Sequence, residues 1–399
     1  MRLLLAHTST LPDRMGGSER LVWYLARALV ARGHEVRIVV PRLAPSLPAC
    51  STVDGVTILR YRDPFSSSAM AYAPSVLAAR SAVRAAARSW RPDLVHAHHG
   101  ISGLGAAWAG WAPGCYTFHG PWSLEFLAEV AGGRELPSLK RWTRRLWIPA
   151  KAKLASVLEG AALARSARIV ALSRFSARQI EDVHPGAGRR TTIIPGGVDL
   201  TRFVPAATRR GARAALGLPQ TGPLVFTVRR LVPRMGLERL LHAFTRLPGV
   251  NLVIGGTGML RLRLEETAAR LGLTPRVRFA GFIADEQLPC FYQAADLVVL
   301  PSVALEGFGL IALEALACGT PVVTAREAGV ADVLEALEPS WLVADPEPAA
   351  LARAVGAALD RSTADPHLAE RCRAHAARYG WERIAEAYES VYRSYLERP

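Results

Sequence analysis

Two glutamates, Glu306 and Glu314, stand eight positions apart around the glycine-flanked Phe308 in Pro301–Val323, PSVALEGFGLIALEALACGTPVV. A carboxylate is a poor ligand for phosphate and a good acceptor for hydroxyls. Gly307 and Gly309 let the backbone approach a ligand closely, and a helix opening at Leu310 would aim orphan N–H groups and its positive dipole end at an anion. Hydroxyl acceptors beside an anion site suit a ligand that carries both phosphates and sugar hydroxyls. Glu314 taken alone reads equally as a solvated residue on an amphipathic helix. The Glu-Gly-Phe-Gly loop and the following Gly319-Thr320-Pro321-Val322-Val323 make it part of a constellation.

Further groups at strand ends could share this chemistry. Arg229, Arg230 and Arg234 follow the apolar run Leu224–Val228. A guanidinium grips two phosphate oxygens at once and stays charged at every relevant pH, so Arg230 suits a clamp on a developing diphosphate charge. Gly16 and Gly17 open a helix after a strand, which fits a phosphate approach or an ordinary strand-helix connection. His96, His98 and His99 lie within one strand and its end. Alternation would split their faces, and no Cys or carboxylate cluster is near, so structural zinc is not expected. His96 reads as a core residue, while His98 and His99 reach the ligand end. His119, before Gly120, ends the next strand, where open α/β sheets place ligand groups; a purely structural histidine is the alternative.

The elements that must position these residues alternate between strand-like apolar runs and helical patterns throughout, the signature of parallel α/β sheets. Strands are expected at Arg2–Ala6, Glu35–Val40, Gly55–Tyr61, Arg91–His99, Cys115–Gly120, Arg168–Ser173 and Thr191–Pro195. A second series runs Leu224–Val228, Asn251–Gly258, Val277–Phe282, Ala295–Pro301 and Pro321–Thr324. Helices are expected at Gly16–Arg32, Tyr72–Trp90 and Leu310–Ala317, with an amphipathic helix from Tyr379 to Leu396.

Taken together, these motifs resemble the retaining, nucleotide-sugar-dependent glycosyltransferases of family 4, the glycosyl transferases group 1, over essentially the whole chain. The resemblance implies a GT-B fold: two Rossmann-like parallel-sheet domains facing a cleft. Residues 1–198 would form the acceptor-side domain and 199–378 the donor domain, with 379–399 a helix crossing back to the first. The turn Gly196-Gly197-Val198-Asp199 resembles the family's crossing turn, with Gly in place of Asn. By the same resemblance, Glu306 and His119 contact the donor sugar, Glu314 holds the ribose hydroxyls, and backbone amides around Phe308, Gly309 and Leu310 meet sugar and diphosphate. Gly16 and Gly17 fold over the phosphates, Arg230 grips the diphosphate, and the strand ends at Gly256 and Phe282 enclose the base. Met235 departs from the pattern, because the family has lysine there; Arg229 or Arg234 is expected to supply the missing charge. The implied reaction is retaining transfer without a metal or other cofactor, consistent with the lack of an Asp-x-Asp. The departing diphosphate itself deprotonates the acceptor hydroxyl.

Composition bounds the setting. The 399 residues suffice for two packed domains, and half of them are hydrophobic. Five scattered cysteines without a C-x-x-C pair read as free thiols, and the short apolar start and lack of a long apolar run predict a cytoplasmic chain. A net charge of +15 admits nucleic acid, lipid or phosphorylated partners. The basic residues are dispersed and no nucleic-acid module appears, so nucleic acid is not expected. The basic, tryptophan-containing stretch within residues 121–158 fits contact with an acceptor or with an anionic membrane surface; a solvated helix with snorkelling cations is the alternative. The expected function is hexosyl transfer from a UDP- or GDP-sugar to a hydroxyl, in cell-surface polysaccharide or glycolipid assembly. Glycosylation of a small secondary metabolite, and a nucleotide-sugar-binding GT-B protein or epimerase without transfer activity, are the alternatives.

Overall fold

The structure, a computed structural model, describes residues 1–63, 72–131, 141–304 and 307–397, the side chains of 141–144 excepted. The chain divides into two compact units, Met1–Gly197 with Trp381–Pro399, and Val198–Gly380.

The first unit is built on an eight-stranded sheet. Its strands are β1 (Arg2–Ala6), β2 (Glu35–Pro41), β3 (Cys50–Val53), β4 (Val56–Tyr61), β5 (Leu94–Ala97), β6 (Cys115–Phe118), β7 (Arg168–Ala171) and β8 (Thr191–Ile193), in the order β3-β4-β2-β1-β5-β6-β7-β8. All neighbours run parallel except β3, which pairs antiparallel with β4. Sequence reading missed β3, whose residues are mostly exposed and lack an apolar pattern. Its signal is the Asp54-Gly55 pair, both at positive φ (48° and 78°), the two-residue hairpin connection. The parallel strands are covered on both faces and therefore read as continuous apolar runs. Val95 and Ala97 pack into hydrophobic clusters with Leu104, Ala106 and Val83 on one face. His96, between them, points to the other. There the helix Trp381–Leu396 closes the sheet by burying Trp381, Ile384, Ala385, Tyr388, Glu389 and Tyr392, a helical stripe.

The second unit is a six-stranded parallel sheet: β9 (Leu224–Val228), β10 (Asn251–Gly255), β11 (Val277–Gly281), β12 (Leu297–Leu300), β13 (Val322–Ala325) and β14 (Leu342–Val343), ordered β11-β10-β9-β12-β13-β14. In each sheet the chain starts centrally, winds one way, then returns to wind the other. The strand order reverses between β1 and β5 in the first unit and between β9 and β12 in the second. A crevice opens at the carboxyl ends of strands at such a reversal, where doubly wound sheets bind ligands.

Candidate active site

In the second unit, the loops leaving β9, β10, β11 and β12 are tied to one another at this reversal. The Leu231 N–H donates to the Thr257 carbonyl (2.8 Å), Gly256 N–H to the Gly281 carbonyl (2.6 Å) and Val303 N–H to the Arg234 carbonyl (3.0 Å). The approach is close enough to require glycine. A Cβ on Gly236 (φ 70°) would stand 1.9 Å from the Pro301 carbonyl oxygen, and one on Gly256 (φ 112°) 1.9 Å from that of Arg229. These loops carry Arg229, Arg230 and Arg234, and the β12 loop, bonded to the Arg234 carbonyl through Val303, precedes the helix Leu310–Ala317. Gly309, at φ 81°, adopts the left-handed turn that begins this helix and, having no side chain, provides no side-chain cap. The helix N-terminus therefore lacks a side-chain cap, an arrangement that suits an anion, although the Ala312 N–H bonds the Gly309 carbonyl (2.9 Å).

The residues expected at this site differ in exposure. Arg230 is exposed and Arg229 buried, so the pair offers one guanidinium to solvent and one to the loop interior. Met235 is buried at the end of the short turn Pro233–Met235, so the position that is lysine in the family is here an apolar anchor for the loop. Phe308 is also buried, leaving backbone rather than ring toward a ligand, whereas Phe282 is 63% exposed. Glu314 is only 3% exposed, and its Oε2 accepts a hydrogen bond from the hydroxyl of the fully buried Tyr292 (2.7 Å). This partner fixes the carboxylate, and nothing in the sequence pointed to it. Glu306 lies outside the described residues.

In the first unit, the reversal between β1 and β5 gathers histidines. His7 follows β1, His98 and His99 follow β5, and His119 follows β6. His7 stacks on His119 at 5.6 Å and lies 6.0 Å from His98, and His98 Nδ1 is 3.2 Å from His119 Nε2. His99 caps the helix Gly100–Trp108 by accepting from the Ile101 N–H (3.2 Å). His96 is satisfied within the core, with Tyr392 Oη and Thr117 Oγ1 each 2.8 Å from its nitrogens. Burial pushes His7 and His99 down to about 4, and His96 and His119 down to about 3, so these imidazoles are neutral at physiological pH. His98 shifts the same way, again chiefly by burial. Among the described residues no group of His, Cys, Asp and Glu is arranged to hold a metal ion.

Sequence reasoning passed over His7 and Glu19. Glu19 accepts from Ser9 (2.7 Å) and Ser18 (2.9 Å), and its Oε2 fills the space that a Cβ on Gly16 would need, at 2.3 Å. Burial works to raise this carboxyl, but its electrostatic interaction with His7 and the serine hydrogen bonds outweigh it and lower the value. Gly16 thus makes room for the carboxylate, whereas none of the described residues lies within 4 Å of a Cβ at Gly17. The loop before them is pinned by a buried two-pronged pair, Arg60 Nε and Nη2 on Asp13 at 2.6 and 2.8 Å. The available signal was weak: a histidine just after the first strand, and an acid three residues after a glycine.

The basic helix Arg141–Ala164 follows Trp122–Ala131. Lys151 lies over the rings of Tyr72, Trp147 and Phe126 at 4.6, 5.0 and 5.1 Å. Leu146, Leu154 and Val157 are exposed along one side of the helix. No helix among the described residues is long and apolar enough to cross a membrane.

Two doubly wound sheets with candidate sites at their reversals, one carrying arginines and a glycine-initiated helix, define a GT-B protein. Residues 15–202 match the profile of Glycosyltransferase Family 4 and residues 208–378 that of Glycosyl transferases group 1. The D-inositol 3-phosphate glycosyltransferase of Salinispora tropica is 31% identical, covering 98% of this chain and 84% of its own. Among solved structures, sucrose-phosphate synthase from Thermosynechococcus elongatus superposes with a TM-score of 0.82 at 25% identity, over 98% of each chain. HepE from Anabaena, solved with UDP and glucose, gives 0.75 at 21% identity, over 99% of this chain and 100% of its own. The chain belongs to the family 4 GT-B glycosyltransferases and is a glycosyltransferase.

Proposed function

We propose that the enzyme transfers a hexose-type sugar from UDP- or GDP-sugar to an acceptor hydroxyl, with retention and without a metal, in the assembly of a glycolipid or cell-surface polysaccharide. One observation carries the donor half of this reading: the interlocked loops at the β9/β12 reversal carry Arg229, Arg230 and Arg234, and the loop bonded to Arg234 through Val303 precedes the helix Leu310–Ala317, which has no side-chain cap and on which Tyr292 fixes Glu314. Arginines and helix amides stabilise the charge that builds on a departing diphosphate. Glu314 provides a carboxylate for ribose hydroxyls, and Glu306 one for the sugar. Gly16 and Gly17 serve the donor phosphates in this reading.

The β1/β5 reversal supplies the hydroxyl-binding half. His7 Nδ1 and Nε2 and Thr10 Oγ1 are buried and have no hydrogen-bond partner among the described residues. Buried polar atoms left without protein partners mark a place for polar ligand atoms or water. His119 beside them contacts the transferred sugar. The acceptor oxygen attacks on the face the diphosphate leaves, and that diphosphate takes its proton, so no protein nucleophile is needed. Contact with an anionic membrane is supported by the exposed Leu146, Leu154 and Val157 beside Arg145 and Lys153, on a cytoplasmic enzyme working at the surface where a lipid-linked acceptor resides.

The test incubates the enzyme with radiolabelled UDP- and GDP-hexoses in EDTA, offering lipid extracts and small polyols, their phosphates included, as acceptors. An α-linked glycolipid from an α-configured donor is expected. Inverted product, a requirement for added metal, or transfer only to a small soluble acceptor would each overturn the corresponding part. The D-inositol 3-phosphate named for the relatives makes the last outcome the principal rival.

A further inference from the structure

His98 and His119 share one hydrogen bond, and its direction follows from what surrounds the other nitrogen of His98. Two neutral imidazoles 3.2 Å apart, Nδ1 of His98 to Nε2 of His119, hold one proton between them. If His119 donated from Nε2, the proton of His98 would sit on its own Nε2. That atom is buried and has no acceptor among the described residues, in a side chain whose residue is 2% exposed. An orphaned buried N–H costs about 1–3 kcal/mol, whereas a bare imidazole lone pair is the better tolerated deficit. The bond therefore runs from His98 Nδ1–H to His119 Nε2, and neutral His119 must carry its proton on Nδ1.

We infer that His98 is a positioning residue that holds His119 in its Nδ1–H tautomer, so that His119 presents a hydrogen-bond donor, and not a base, to an oxygen of the bound sugar. The ring of His98 is packed against a fixed neighbour. It lies 4.0 Å from His96, which is pinned between Tyr392 and Thr117, and Thr117 Oγ1 in turn is 3.1 Å from Tyr388 Oη. The C-terminal helix thus fixes His96 through hydrogen bonds, and His96 in turn packs its ring against His98. Burial keeps all three histidines neutral across the working pH range, so the tautomer, not the charge, is what the arrangement controls.

This inference rests on the reading of His119 as a sugar contact, but its test does not. Long-range proton-nitrogen spectra of the protein labelled at histidine nitrogens report the tautomer of each ring directly, with the His119 signals assigned by their loss in His119→Ala. The wild-type spectrum should show His119 protonated on Nδ1. His98→Asn, whose amide places an N–H near the original Nδ1, should keep that state, and His98→Phe should release His119 to a mixture of tautomers. Transfer should fall in His98→Phe and recover in His98→Asn. A wild-type His119 protonated on Nε2 would overturn the inference even if no variant folded, as would a tautomer unchanged in His98→Phe. Normal tautomers in an enzyme that transfers no sugar would instead count against the functional reading alone.

Discussion

At the residue scale, the proposed donor site combines an exposed guanidinium, Arg230, with a buried carboxylate, Glu314. Arg230 is exposed at the carboxyl end of β9. Arg230→Ala should lower kcat/KM by about 100- to 1,000-fold, as loss of a transition-state donor does, while leaving the urea midpoint within error. Glu314 behaves differently because Tyr292 is buried with it. Tyr292→Phe removes the donor and leaves a buried carboxylate oxygen short of a partner, a cost of about 1–3 kcal/mol measurable by urea unfolding. The two glycines of the first loop separate in the same way. Gly16→Ala collides with Glu19 and should destabilise, whereas Gly17→Ala meets open space and should fold normally, so any loss of activity in Gly17→Ala reports on the ligand.

At the scale of elements, the sequence displayed what burial on both faces writes into it. The core strands β1, β9 and β12 and the helices Tyr72–Trp90 and Leu310–Ala317 were legible because parallel strands and long amphipathic helices carry their environment in their residue pattern. The edge strand β3 was not, since one exposed edge imposes no pattern. The same contrast holds for the site. Arginines after a strand and a Glu-Gly-Phe-Gly loop are local and readable, but the Tyr292–Glu314 bond, the Arg60–Asp13 clamp and the meeting of His7 with His119 join distant segments. The terminal helix illustrates the consequence. Its amphipathic stripe was visible, whereas the bonds that Glu389 accepts from Arg32 (2.5 Å) and His34 (2.8 Å) were not. Arg60→Ala should cost about 3–5 kcal/mol, because it strands a buried carboxylate.

At the scale of the molecule, the histidines make folding acid-sensitive. Their folded values lie near 3 to 4, against 6.5 in the unfolded chain, so below pH 6.5 the unfolded state takes up protons that the native state refuses. The stability they allow is complete above that pH and is lost as pH falls toward 4, with about 1.4 kcal/mol for every tenfold difference in proton affinity between the two states. Glu389, lowered to about 2 mainly by Arg32, adds a second loss below pH 4.5. Thermal unfolding followed from pH 8 to 4 should show a plateau and then a steep fall beginning near 6.5, made shallower by His96→Asn. The net charge of +15 should make binding of anionic ligands weaken with salt.

The central claim is that the Val198–Gly380 unit holds a nucleoside-diphosphate sugar through its arginines. Thermal stabilisation by UDP, GDP, ADP and TDP and their sugar conjugates tests it most directly, because a ligand that binds only the native state raises its melting temperature, by about 2.7 kcal/mol of stability at a hundredfold excess over Kd. A shift of several degrees with one diphosphate and its sugars, abolished in Arg230→Ala, is the predicted result. No shift with any of them at millimolar concentration would contradict it.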